Sequence, residues 1–127
     1  MKIKIYQFGN NNVGDTLTKP IIDHLFNIDS QLVESSDNNK LVGIGSILPW
    51  AVKEGDTVWG AGLIENHKPV LRACKILALR GKLTAKNLGV DCDVFADPAI
   101  LLPLIYKPHD IQKTPKLGII EHHFDTG

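Results

Sequence analysis

Neither sign of charge is in excess: Lys and Arg together number 14, and so do Asp and Glu. That balance leaves no basic surplus to attract nucleic acid or anionic lipid, so any anion site has to be local. Cysteine is scarce as well. Cys74 and Cys92 fit neither a CxxC pair nor a zinc pattern, and buried reduced thiols in a cytoplasmic protein are the expectation. Long apolar runs are missing; none approaches the roughly 20 residues that span a bilayer. Residues 1–5 alternate and lead straight into a turn, which marks a first strand and not a signal peptide. No repeat or low-complexity segment competes with a globular reading.

What is present suits one domain. The 127 residues are 43% hydrophobic and 22% charged, enough apolar material for a single core. Residues 3–8 alternate like a strand and end in an asparagine- and glycine-rich loop over 9–14. Asp15 is placed to cap a helix carrying Leu17, Ile21, Ile22, Leu25 and Phe26 at helical spacing, although Pro20 argues for a later start. Residues 31–34, 40–48, 57–63 and 73–79 are the next expected strands. The last is apolar enough to be covered on both faces. A helix over 82–88 stops at Gly89, residues 93–96 form a short strand, and Pro98 opens a helix to residue 105 that Pro103 bends.

Strands alternating with helices predict an α/β fold, a Rossmann-like open and mostly parallel sheet flanked by helices. The expected organisation is one domain over 1–106, a linker over 107–115, and the first strand of a second domain over 116–127, ending in Glu121-His122-His123.

In such a sheet, ligands bind beyond the carboxyl ends of the strands. Four marked loops fall there: the Asn12-Val13-Gly14-Asp15 loop, Gly60-Ala61-Gly62, Arg80-Gly81, and Asp97-Pro98. They are expected to converge on one edge. The Asn12 amide offers hydrogen bonds to sugar hydroxyls or phosphate, and Gly14 allows a positive φ. Asp15 weighs more as a helix cap than as a catalyst. Gly60 and Gly62 suit close packing as well as ligand contact. Arg80 has the sharpest case, since its guanidinium grips a carboxylate or phosphate bidentately while Gly81 leaves the backbone accessible. Against this stands a partly buried ion pair, with Asp97 as the nearest partner in view; Asp97 also suits a turn, or the orientation of a substrate hydroxyl. His122 is the candidate acid or base near neutral pH. No metal site is predicted, because neighbouring strand residues such as His122 and His123 point to opposite faces. No Walker loop or dinucleotide fingerprint is present.

In order, the segments Asn12-Val13-Gly14-Asp15, Trp59-Gly60-Ala61-Gly62, Leu79-Arg80-Gly81-Lys82-Leu83-Thr84, Leu88-Gly89-Val90, Asp97-Pro98-Ala99-Ile100-Leu101-Leu102-Pro103 and Gly118-Ile119-Ile120-Glu121-His122-His123 resemble the polysaccharide pyruvyl transferase family. The resemblance implies one half of a GT-B-type architecture. It implies a transferase of exopolysaccharide biosynthesis that moves a pyruvyl group from phosphoenolpyruvate to a sugar, forming a ketal. Phosphoenolpyruvate is then a donor substrate, no cofactor is needed, and a glycan is the acceptor. Arg80 matches the family's donor-binding arginine, and the Asn12–Asp15 and Gly60–Gly62 loops line the cleft. On this reading the chain is an enzyme only when a second domain is supplied, or is one protomer of a homo-oligomer. The alternatives are a non-catalytic α/β binding or assembly module and a domain like the nucleotide-sugar glycosyltransferases.

Overall fold

A computed structural model describes residues 2–9, 12–65, 73–109 and 116–119. Five strands form one sheet: β1 (Lys4–Tyr6), β2 (Gln31–Leu32), β3 (Leu41–Val42), β4 (Thr57–Trp59) and β5 (Lys75–Ala78). Their order is β2-β1-β3-β4-β5, and every pair is parallel. The predicted α/β class is therefore what the chain adopts. Among the described residues three α-helices accompany the sheet: α1 (Thr18–Phe26), α2 (Leu48–Ala51) and α3 (Lys82–Leu88); a 3₁₀ segment covers Pro98–Leu104.

Register explains which residues are buried. In a parallel sheet, residues paired across strands share a face. Tyr6, Val42, Val58 and Ile76 line one face, where Leu48 and Ala51 of α2 and Ala85 of α3 complete the main core. Ile5, Leu41, Thr57 and Lys75 line the other. On that side Ile5 is fully buried, as is Ile21 of α1, with Ile22 at 5% exposure. The direction in which strands are added across the sheet reverses at β1, since β2 lies on one side of it and β3 to β5 on the other. The carboxyl edge there is the switch point of the sheet.

Several expected elements are shorter than predicted, for local reasons. Helix α1 starts at Thr18 with no side-chain cap from the preceding residue, so Asp15 does not cap it. Gln7 does that work from the end of β1, its Oε1 accepting the Lys19 N–H at 2.7 Å. The expected strand over 40–48 stops at Val42. Beyond it the Thr18 hydroxyl accepts the Ile44 N–H at 2.9 Å, Gly45 turns at φ +118°, and α2 begins. Strand β5 is not covered on both faces as predicted: Lys75 is exposed and Leu77 is 44% exposed. The segment over 93–96 contributes a single bridge, Leu79 to Phe95. Gly89 ends α3 at φ +67° as predicted. Of the expected last strand, residues 117–119 lie in no strand, and Ile120 is outside the described residues.

One buried pair has no counterpart in the sequence reading. The Lys40 and Asp56 side chains are both fully buried and bonded to each other at the amino ends of β3 and β4. Asp56 also accepts the N–H groups of Lys40 (3.0 Å) and Lys53 (2.8 Å), and the Lys40 ammonium donates to the Asp37 carbonyl at 2.7 Å. Such a pair offsets its desolvation only because these extra bonds satisfy it.

Candidate functional site

The loops at the carboxyl edge are stitched together by backbone bonds that continue the sheet. Gly62 donates to the Gly45 carbonyl (2.9 Å), Leu48 to Gly62 (3.2 Å), Arg80 to Ala61 (3.2 Å), Gly60 to Ala78 (2.8 Å) and Ala96 to Leu79 (3.0 Å). The loops after β3, β4, β5 and Phe95 therefore lie side by side. The loop after β1 joins them, because a methyl on Gly45 would lie 2.8 Å from the Asp15 carboxylate. All four loops singled out in the sequence converge on one edge, with the Gly43-Ile44-Gly45-Ser46 turn at their centre.

Arg80 follows β5 and folds back over Gly62. A methyl on Gly62 would stand 2.5 Å from Arg80 Nε and 2.6 Å from Cζ, so only glycine admits the guanidinium there. Arg80 Nη1 donates to the Ser46 hydroxyl at 2.6 Å, and Nη2 to the Leu63 carbonyl at 2.8 Å. Both acceptors are neutral. Among the described residues no carboxylate forms an ion pair with Arg80, Asp97 included. Asp97 instead caps the 3₁₀ segment, accepting the Ala99 N–H at 2.9 Å. A guanidinium has five N–H donors, and two are engaged here. The rest of the group borders a cavity of about 310 Å³ shared with Leu63, Glu65, Gly81, Thr84 and Asn87. That is the small end of the range for ligand sites.

The remaining candidates divide. Gly81 is extended at φ −170°, and the space beside its Cα is open, so its backbone is accessible as expected. Thr84 lies buried in the first turn of α3. Gly60 turns at φ +84° against Pro98 and the Ala96 carbonyl, the latter 2.6 Å from where a methyl would be. Its neighbours are protein atoms. Asn12 is occupied inside its own loop, its Oδ1 accepting the Gly14 N–H at 3.0 Å; Gly14 does not adopt the left-handed conformation anticipated for it. Asp15 has no helix to cap. Partial burial holds its carboxyl above the usual value, and the nearby charge of Asp97 adds to the effect. His122 lies outside the described residues, while His24 and His109 are exposed.

Ser46 escaped the sequence reading, in which the glycines of 40–48 stood only as points of close approach within a strand. A glycine-x-glycine-serine run after a strand was the available signal, but residues 40–48 look like continuous strand. Among the described residues no group of three or more His, Cys, Asp or Glu is placed to hold a metal, and no helix is long and apolar enough to cross a membrane. Cys74 and Cys92 are half-buried, not buried as expected. No family model, curated protein or solved structure matches this chain.

Proposed function

We propose that the carboxyl edge of the sheet binds a small carboxylate- or phosphate-bearing ligand, with Arg80 as its anchor. The carrying observation is that Arg80 is fixed by two neutral acceptors, pairs with no described carboxylate, and borders a cavity. A structural arginine is ordinarily neutralised by an acid; one held by a hydroxyl and a carbonyl keeps its full charge for a ligand. Gly62 and Ser46 orient the guanidinium, and Gly81 leaves room beside it.

Joined to the family resemblance, this reading makes the ligand phosphoenolpyruvate and the chain one wall of a pyruvyl-transfer site in a cytoplasmic enzyme. Ketal formation needs a proton delivered to the methylene carbon, a proton removed from each of the two sugar hydroxyls that attack the neighbouring carbon, and departure of inorganic phosphate from that carbon. Asp15, with its raised carboxyl, is the described acid nearest the shared turn, and His122 is the second candidate. A glycan acceptor would enter along the Asn12 and Gly60 loops. The non-catalytic module remains the second reading, favoured by the absence of a histidine from the described edge.

Calorimetric titration with phosphoenolpyruvate, pyruvate and inorganic phosphate tests the anchor. Arg80→Lys keeps the charge but loses the planar fork, and about tenfold weaker binding or worse is expected. Ser46→Ala, which leaves the guanidinium present but less fixed, should weaken binding by a smaller factor. Undiminished binding by Arg80→Lys and Arg80→Ala, with both folded by circular dichroism, would remove the assignment.

A further inference from the structure

Two aromatic rings meet at the carboxyl edge. Phe8 lies two residues beyond β1, and its ring meets that of Trp50 in α2 edge to face, with centroids 5.5 Å apart and planes at 61°. Helix α2 is tied to this edge where the Leu48 N–H donates to the Gly62 carbonyl. The pair therefore stands beside the switch point, between the loops after β1 and β3. Leu48 and Ala51 make the core contact of α2, both fully buried, whereas Trp50 is 38% exposed and Phe8 49%.

The groups nearby specify what such a pair can hold. An aromatic face is negatively polarised and attracts the positively polarised C–H bonds of a ligand. Asp15, on the same loop as Phe8, lays its carboxylate over Gly45 and accepts no hydrogen bond from a described residue. Asp97 is close enough for its charge to add to the burial that raises the Asp15 carboxyl. Ionised carboxylates only accept hydrogen bonds, so this stretch of the edge suits hydroxyl groups and repels phosphate. A nucleotide with its base on the rings would carry its phosphates past both aspartates on the way to Arg80. A pyranose meets both demands, with axial C–H bonds on its faces and hydroxyls around its rim.

Arg80 follows β5, two inter-strand spacings or about 9.5 Å beyond β3. One small anion does not reach both places. Resting on the reading of the carboxyl edge as the ligand edge, we propose that Phe8, Trp50 and Asp15 form a sugar subsite, with the rings against the apolar face of a pyranose and the Asp15 carboxylate accepting from its hydroxyls.

Trp50 is the reporter. The chain has two tryptophans, so in Trp59→Phe the emission comes from Trp50 alone. Titration with the methyl β-glycosides of glucose, galactose, mannose and N-acetylglucosamine should change that emission saturably for at least one of them. Saturation-transfer NMR on the unsubstituted chain reads the same contact from the sugar: irradiating the aromatic protons should label the axial ring protons of that glycoside. Phe8→Ala and Asp15→Asn should each weaken its binding about tenfold, and Trp50→Leu should remove the transfer. Phosphoenolpyruvate titration separates the two subsites, because Phe8→Ala should lose the sugar and keep the anion. Anion binding by a chain that responds to none of the glycosides would overturn the sugar subsite and leave the Arg80 anchor standing. An equal or stronger response to adenosine monophosphate, or undiminished sugar binding by Phe8→Ala and Trp50→Leu, would overturn it too.

Discussion

Removing one partner of the buried Lys40–Asp56 pair tests the deepest electrostatic element of this fold. In Asp56→Asn the volume is unchanged but the charge is gone. Every group facing that carboxylate is a donor: the ammonium of Lys40 and the N–H groups of Lys40 and Lys53. The new NH₂ must therefore point at a donor, and the ammonium loses its counter-ion at zero exposure. Breaking one side of such a pair costs about 3–5 kcal/mol. Lys40→Met should cost less, about 2 kcal/mol, because the two backbone N–H groups still stabilise the carboxylate. The double substitution should cost less than the two singles added, by about 2 kcal/mol of coupling. Urea unfolding measures all three. With a slope near 2 kcal/mol/M, Asp56→Asn should lower the midpoint by about 2 M. A loss below about 1 kcal/mol, or strictly additive effects, would refute the reasoning, for then the pair would not be closed to water as the structure shows.

Gly62→Ala should push the Arg80 guanidinium, the tip of a flexible side chain, off its seat at a cost of about 1 kcal/mol in lost hydrogen bonds but with a loss of phosphoenolpyruvate binding; unchanged calorimetry would separate Arg80 from the ligand. Asp23 governs acid behaviour near α1. Burial pushes its carboxyl up, but hydrogen bonds from Lys19 and Ser30 outweigh this and hold it below the usual value. Its stabilisation is thus present above the unfolded carboxylate pKa and lost as pH falls through the folded one. Asp23→Asn should be less stable at pH 7, and the difference should close in strong acid. Asp15 has the opposite sign. Its raised carboxyl means stability falls as pH rises from the unfolded to the folded pKa, so Asp15→Asn should melt higher than wild type at pH 7 and equally in strong acid.

The fold class was legible because strand and helix signals alternate, and only a parallel α/β sheet accommodates that order. The convergence of the four candidate loops was legible for the same reason: loops after parallel strands must share an edge. Element ends were less so. Residues 40–48 look like one strand by apolarity, yet the Thr18 hydroxyl captures the Ile44 N–H and ends the ladder at Val42. Asp15 looks like a cap by position, yet Gln7, twelve residues before Lys19, takes the bond. Both outcomes depend on contacts between segments that no local pattern encodes.

Sequence alone determined that the chain builds an open α/β sheet, that Arg80 lies at its carboxyl edge, and that no charge surplus supplies a diffuse anion surface. Tertiary structure decided what Arg80 does there, by seating it over Gly62 between Ser46 and Leu63 and leaving Asp97 to cap the 3₁₀ segment. It also decided that Lys75 and Leu77 of β5 are exposed, and that Lys40 and Asp56 neutralise each other in the interior. Local propensity and hydrophobic period reach a few residues along the chain. Charge pairing and face coverage depend on which distant segments meet, and that is settled only when the chain is packed.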